Sequence, residues 1–202
     1  MTGGEATPAP VPVAAEPTTE AEGPRRRDDW PAGTPIWLLD VDGVLNAVTR
    51  QPDRRVWKDY RSGWATARQQ RWPITWSPTV VTAICDLHTR RAVEVLWLTT
   101  WEDDANGDLI DLLGLPRLPV AGRAADSRRM LGGWWKLDVA QRIQRLAPDR
   151  RIVWTDDDLG YDRTASRWIG GAGLGISPRT AHGLDRADLH RISRFLDDQR
   201  PA

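Results

Sequence analysis

One cysteine, one phenylalanine and two tyrosines stand in 202 residues, and no apolar run approaches the roughly 20 residues of a spanning helix. The lone Cys85 has no partner for an internal disulfide, which excludes a disulfide scaffold and makes a reducing compartment, the cytoplasm, the expected location. An excess of either charge is missing too. Lys+Arg and Asp+Glu both total 28, so the whole chain offers no field for a polyanion or a membrane surface. The start "MTGGEATPAPVPVAAEPTTEAEGPRRRDD" lacks a basic region followed by an apolar one, so neither signal peptide nor anchor is expected there. It also lacks large aliphatics apart from Val11 and Val13, and cannot bury enough surface to offset its ordering entropy. Residues 1–29 are expected to be a disordered tail and 30–202 a single domain. Without the six acids and three arginines of that tail, the body carries about +3.

What is present is an alternation. "PIWLL" (35–39) is a short apolar run bounded by turn residues, as expected for a strand covered on both faces. "SPTVVTAICDLHTRR" (77–91) predicts an amphipathic helix with Ser77 as N-cap and Pro78 at its first position. "VEVLWLTT" (93–100) predicts a second buried strand, followed by a helix around "DLIDLLG" that Gly114 stops. "LPVAG" (118–122) is a candidate short strand, 134–148 a helix, "RIVWTD" (151–156) a strand, "GLGIS" (173–177) a strand and 185–198 a helix. Such alternation predicts an α/β domain with a mainly parallel, Rossmann-like sheet and helices on both faces. Residues 46–76 break the rhythm and predict an insertion after the first strand, a hairpin flap or minimal cap. There is no internal repeat.

In open parallel sheets, ligands bind beyond the carboxyl ends of the strands. Asp40 and Asp42 follow the first strand, Thr99 and Thr100 the second, Lys136 opens a later helix, and Asp156, Asp157 and Asp158 end the strand after it. Carboxylates gathered at one edge repel and are costly to bury unless a hard cation is shared among their oxygens, for which Mg²⁺ is the natural occupant. A carboxylate beside Mg²⁺ can attack phosphorus, a neighbouring carboxyl can exchange protons, and Lys and Thr can hold phosphoryl oxygens. The set predicts a phosphoryl-transfer site. The bland alternatives are a turn pair for Asp40 and Asp42, an exposed helical lysine at 136, and a capping carboxylate among 156–158, with Asp158 the candidate.

In that order, "DVDGVLN", "VLWLTTW", Lys136 and "IVWTDDD" resemble the four motifs of the haloacid dehalogenase-like (HAD) phosphohydrolases, over about residues 35–178. The resemblance implies Asp40 as the nucleophile forming an aspartyl-phosphate, and Asp42 as general acid and then base. It implies a sharp turn at Gly43 beside the substrate. Mg²⁺ would be held by the Asp40 carboxylate, the Asp42 backbone carbonyl and Asp156 or Asp157. Thr99 or the adjacent Thr100 would bind the phosphoryl group, and Lys136 would neutralise nucleophile and phosphate. The piece between the first two motifs is short for a large cap, which in this family accompanies open sites and large substrates. "WLTTWEDDAN" and "WTDDDL" also resemble the small HAD domains of composite RNA-repair proteins, pointing to phosphorylated polynucleotide ends.

The flap adds its own signal. Arg50, Arg54, Arg55, Lys58, Arg61, Arg68 and Arg71 face only Asp53 and Asp59 there, interleaved with Trp57, Tyr60, Trp64 and Trp72. Cations for phosphates and rings for bases are what single-stranded nucleic acid binds, so Arg54, Arg55, Lys58 and Trp57 are candidate substrate contacts. The expected activity is Mg²⁺-dependent phosphomonoester hydrolysis at nucleic-acid or nucleotide ends, with no membrane role and no protein partner named. A sugar-phosphate phosphatase and a non-catalytic RNA- or protein-binding module are the alternatives. Trp134 and Trp135 are expected to pack, Cys85 to be a core thiol, His88 to lie on the polar side of its helix, and His182 to be the one histidine near substrate.

Overall fold

The computed structural model describes residues 30–127 and 134–198; the tail expected over 1–29 lies outside the described residues. Four strands form the central sheet: β1 (Ile36–Leu39), β4 (Glu94–Trp97), β5 (Ile152–Thr155) and β6 (Gly173–Ile176). All pairs are parallel and the order is β4-β1-β5-β6. The short apolar runs become strands because both sheet faces are covered. Trp37 and Leu39 of β1 and Val153 of β5 point into a core with α1 (Pro78–Thr89), α2 (Asp108–Leu113) and α5 (Arg186–Asp197). Ile36, Leu38, Ile152 and Trp154 point the other way, against α3 (Trp135–Leu146) and α4 (Arg163–Ala172). The domain is thus an α/β sandwich of Rossmann type with helices on both faces.

The segment after β1 contains an antiparallel hairpin, β2 (Arg61–Ala67) and β3 (Gln70–Trp76). Ala65, Ala67, Ile74 and Trp76 on one face are buried in the core, so the hairpin packs on the domain, with Gly63 against Leu112 of α2, instead of standing free. Its two-residue turn uses Arg68 (φ 51°) and Gln69 (φ 62°), left-handed positions that cost a non-glycine residue about 1–2 kcal/mol each. Two bonds offset that cost: the Arg68 N–H donates to Asp104 Oδ2 at 2.7 Å and its guanidinium to the Thr100 carbonyl at 2.7 Å. The flap tip is therefore tied to the loop after β4.

Several expectations change. Ser77 occupies the N-cap of α1, but its side chain makes no capping bond. The cap comes from Asp59 in the preceding loop, whose carboxylate accepts from the Ser77 hydroxyl and from the Thr79 N–H and hydroxyl. β4 ends at Trp97, where the expected strand ran to 100, because the Trp101 N–H turns back onto Thr99 Oγ1. "LPVAG" is reduced to one parallel bridge between Trp97 and Val120, since Pro119 has no N–H to extend a ladder. His88 is buried instead of solvated, its Nδ1 accepting from the Val95 N–H and its ring 5.0 Å from that of Trp30. Cys85 is half-buried against the core, where burial pushes its thiol pKa up. Among the described residues, no helix is long and apolar enough to cross a membrane.

Candidate active site

The chain runs from β1 to β4 on one side, then crosses back to β5 on the other, so β1 and β5 flank the point where connections diverge. Their register pairs Leu39 with Thr155, which sets the next residues, Asp40 and Asp156, side by side at the strand ends. Both are buried. The Asp40 N–H donates to the Thr155 carbonyl at 3.1 Å and the Asp156 N–H to that of Ile176 at 3.1 Å, so the backbone fixes both carboxylates.

Lys136, from the first turn of α3, enters between them. Its Nζ lies 2.7 Å from Asp40 Oδ2 and 2.7 Å from Asp156 Oδ2, with all three side chains almost wholly excluded from water. Behind it Trp134 stacks on Trp154 at 4.9 Å and Trp154 meets Trp168 edge-on at 6.3 Å. The first of the paired tryptophans is thus a packing residue, holding the start of α3 where Lys136 is needed. Burial alone would lower the lysine's pKa, but Asp40 and Asp156 reverse that and hold the ammonium above the usual lysine range. Burial pushes the Asp156 carboxyl well above the ordinary range, with the charge of Asp40 adding to the rise and Lys136 opposing it.

The remaining oxygens are also assigned. Asp40 Oδ1 accepts from the Val41 N–H at 2.8 Å. Asp156 Oδ1 accepts from the Asp158 N–H at 3.0 Å, so the capping carboxylate of the acidic run is Asp156 and not Asp158, which is exposed. Asp157 is half-buried, accepts from the Thr180 hydroxyl at 2.6 Å, and is pushed up in pKa by burial. One oxygen from each of Asp40, Asp156 and Asp157 lies within 4.8 Å of the others. With all three carboxylates ionised, as a bound cation would favour, the single Lys136 ammonium leaves two negative charges, and an all-oxygen donor set of that charge fits a hard divalent cation such as Mg²⁺. Gly43 turns at φ 69°, and a Cβ there would stand 2.2 Å from the Asp157 carboxylate, so glycine both permits the turn and makes room for that group.

Asp42 stands outside this carboxylate group. Its Oδ1 accepts from Asn46 Nδ2 at 2.8 Å and its Oδ2 from Trp101 Nε1 at 2.8 Å, two neutral donors that fix its rotamer. Asn46 also accepts from the Thr75 N–H at 2.8 Å, tying the Asp42 loop to β3. Thr99 is buried at the end of β4 with Oγ1 accepting the Trp101 N–H at 3.2 Å, whereas Thr100 is exposed and gives its carbonyl to Arg68. Asn46, Trp101 and Thr180 did not figure among the sequence candidates. The first two end the quoted motifs "DVDGVLN" and "VLWLTTW", while nothing in the sequence marks Thr180.

The flap candidates are mostly spent on structure. Trp57 is only 2% exposed and its Nε1 donates to the Leu184 carbonyl at 2.8 Å, so no face is left for a base. Arg186 covers that ring at 4.6 Å. Arg54 donates to the carbonyls of Lys58 and Tyr60, and Arg55 pairs with Asp53 at 2.8 Å on the surface. Lys58 is exposed. His182 lends its backbone carbonyl to the Tyr60 hydroxyl. The exposed rings of the hairpin are instead Trp64 and Trp72.

Residues 36–189, about three quarters of the chain, match the family described as the HAD domain in Swiss Army Knife RNA repair proteins. No curated protein and no solved structure matches the chain at a comparable level. The match spans every strand of the sheet and every residue of the carboxylate–lysine cluster, and the chain belongs to the family of HAD domains in Swiss Army Knife RNA repair proteins.

Proposed function

We propose that this domain is a Mg²⁺-dependent phosphomonoester hydrolase acting on the terminal phosphate of a nucleic acid or nucleotide. The observation that carries the reading is the buried ammonium of Lys136 shared by Asp40 and Asp156, with Asp157 completing the acidic group. A structural ion pair needs neither a second carboxylate nor a third.

Asp40, held by Lys136 and by the Val41 N–H, is the nucleophile. Its free lone pair forms a bond to phosphorus as the bond from phosphorus to the ester oxygen breaks, and that oxygen takes the proton of Asp42. The product is an alcohol and an aspartyl-phosphate on Asp40. Asp42, now ionised and held in the same rotamer by Asn46 and Trp101, removes a proton from water, whose oxygen attacks phosphorus and releases Asp40 and inorganic phosphate. Lys136 offsets negative charge on Asp40 and the phosphoryl oxygens throughout, and Thr99 or Thr100 supplies a hydroxyl to the phosphoryl group. Asp40, the Asp42 carbonyl, Asp156 and Asp157 would hold Mg²⁺, which supplies charge neutralisation at the phosphoryl oxygens. The nucleic-acid end is favoured by the RNA-repair family and by the arginine-rich hairpin beside the site.

Phosphate release with Mg²⁺ from 5′- and 3′-phosphorylated oligonucleotides, a mononucleotide, a sugar phosphate and an aryl phosphate tests the reading, with Asp40→Asn as control. Asp40-dependent release with the oligonucleotides preferred is the expected result. Preference for the sugar phosphate would replace the substrate class, and release that survives Asp40→Asn would remove the covalent mechanism.

A further inference from the structure

The β2–β3 hairpin has two unlike faces. Period-two alternation sends Gly63, Ala65, Ala67, Ile74 and Trp76 toward the body of the domain and Ser62, Trp64, Arg71, Pro73 and Thr75 away from it. Trp64 lies opposite Pro73 at the centre of the outward face, 56% exposed, with the Arg71 guanidinium 5.5 Å from its ring. Facing it, the segment 47–50 forms a second wall. Between the two lies a groove of about 590 Å³ whose lining is more apolar than polar, with Ala47, Val48, Trp64 and Pro73 beside Thr49, Ser62 and Arg50.

Its position gives the groove a purpose. Its near wall begins immediately after Asn46, the residue that orients Asp42. The Ala47 N–H donates to the Thr75 carbonyl, and the Val48 N–H to the carbonyl of Thr180, whose hydroxyl holds Asp157. The groove wall is thus tied by backbone bonds to the residues that position the acid–base and the third carboxylate. The hydroxyls in the lining are paired within the protein, Thr49 with the Gln51 backbone and Ser62 with Thr75, so a sugar would find few free polar partners there. A flat, exposed indole suits a planar heteroaromatic ring, and the hairpin carries Arg61, Arg68 and Arg71 with no carboxylate at all. Arg68 is spent on the turn and Arg61 falls on the face of Gly63 and Ala65, leaving Arg71 as the outward cation of the hairpin, exposed and suited to a polyanion.

We infer that this groove is a base-stacking subsite: the nucleobase of the nucleotide that carries the scissile phosphate lies on Trp64, with Arg50 and Arg71 set for the neighbouring phosphodiester. The inference rests on the hydrolase reading for the location of the scissile phosphate, and assigns the base to residues other than Trp57.

The test is equilibrium binding, with Mg²⁺, of the full chain carrying Asp40→Asn to a short labelled single-stranded oligoribonucleotide with a terminal phosphate. The probe is used in two forms, with a normal terminal nucleotide or an abasic one, and phosphorylated at either end. Removing the base is expected to weaken binding roughly 5- to 150-fold at one of the two ends, the range of a base–aromatic stack. Trp64→Ala should erase that discrimination and Trp64→Phe should retain most of it. Discrimination that persists in Trp64→Ala, or that is absent with Trp64 in place, would overturn the subsite, as would failure of the Asp40→Asn chain to bind either probe. Phosphate release by the unsubstituted chain is read separately. Release without Trp64-dependent discrimination sinks the subsite alone, and discrimination without release sinks the hydrolase reading alone.

Discussion

The strand-end cluster and the flap are both rich in charge, yet they use it in opposite ways. At the ends of β1 and β5, Asp40 and Asp156 are buried, their oxygens are individually bonded, and one lysine serves both. In the segment 50–72 most cations are exposed, and those that make contacts mainly hold the backbone: Arg54 on two carbonyls, Arg68 on the turn, Arg55 on its neighbour Asp53. Charge buried against charge is costly to assemble and signals chemistry, whereas exposed charge costs little and signals little by itself. The flap's informative features are the two that break its own pattern, an exposed Trp64 and a buried Trp57.

The sharpest break between the regions is catalytic. Asp40→Asn is expected to lower kcat on the order of 10⁴-fold or more, as nucleophile deletions do, while Arg55→Glu should change oligonucleotide turnover within about twofold. Equal losses would mean that the exposed cations act in catalysis and that the contrast is false.

Stability should separate two tryptophans only seven positions apart. Trp57→Ala removes a core ring and its bond to Leu184, and should cost about 3–5 kcal/mol in chemical denaturation, whereas Trp64→Ala should stay within about 0.5 kcal/mol. Comparable costs would contradict the assignment of one ring to the core and the other to the groove.

Asn46 joins the regions, so its removal should be felt in both. Asn46→Ala frees Asp42 and leaves the Thr75 N–H without its acceptor. The expected losses are roughly 10²-fold in kcat and about 1–3 kcal/mol in stability. A stability loss with kcat unchanged would confine Asn46 to holding the hairpin.

The smallest effect lies at alkaline pH. Burial pushes the Tyr60 hydroxyl up to about 12, while its bond to the His182 carbonyl ties the flap to the loop before α5. Between the ordinary unfolded value near 10 and the folded value, the native state keeps a proton that the unfolded chain releases, so stability falls as pH rises through that window. Tyr60→Phe should flatten that fall in denaturant midpoints measured on either side of it, and an unchanged slope would assign it to other groups.

Much of the fold was legible because short apolar runs and helical spacing are local signals, and topology then dictates that strand ends converge. Asp40, Lys136, Asp156 and Asp157 could be gathered from sequence for that reason. The flap could not. Trp57 and Trp64 have similar neighbours in sequence, and only the Leu184 carbonyl and Arg186, far along the chain, decide that the first is buried. The hairpin turn at Arg68 and Gln69 carries none of the glycine or asparagine that marks such turns, since its strain is offset by partners more than 30 positions away. Asp59 capping α1 and Thr180 holding Asp157 are equally non-local.

The central claim is that the strand-end cluster transfers a phosphoryl group to Asp40. Its most direct test is rapid acid quenching of the chain during turnover of a phosphorylated oligonucleotide with Mg²⁺, followed by peptide mapping by mass spectrometry. The account predicts a phosphoryl group on the peptide containing Asp40, absent without Mg²⁺ and absent in Asp40→Asn. Turnover that proceeds with a phosphoryl group on another residue, or unimpaired in Asp40→Asn, would contradict it.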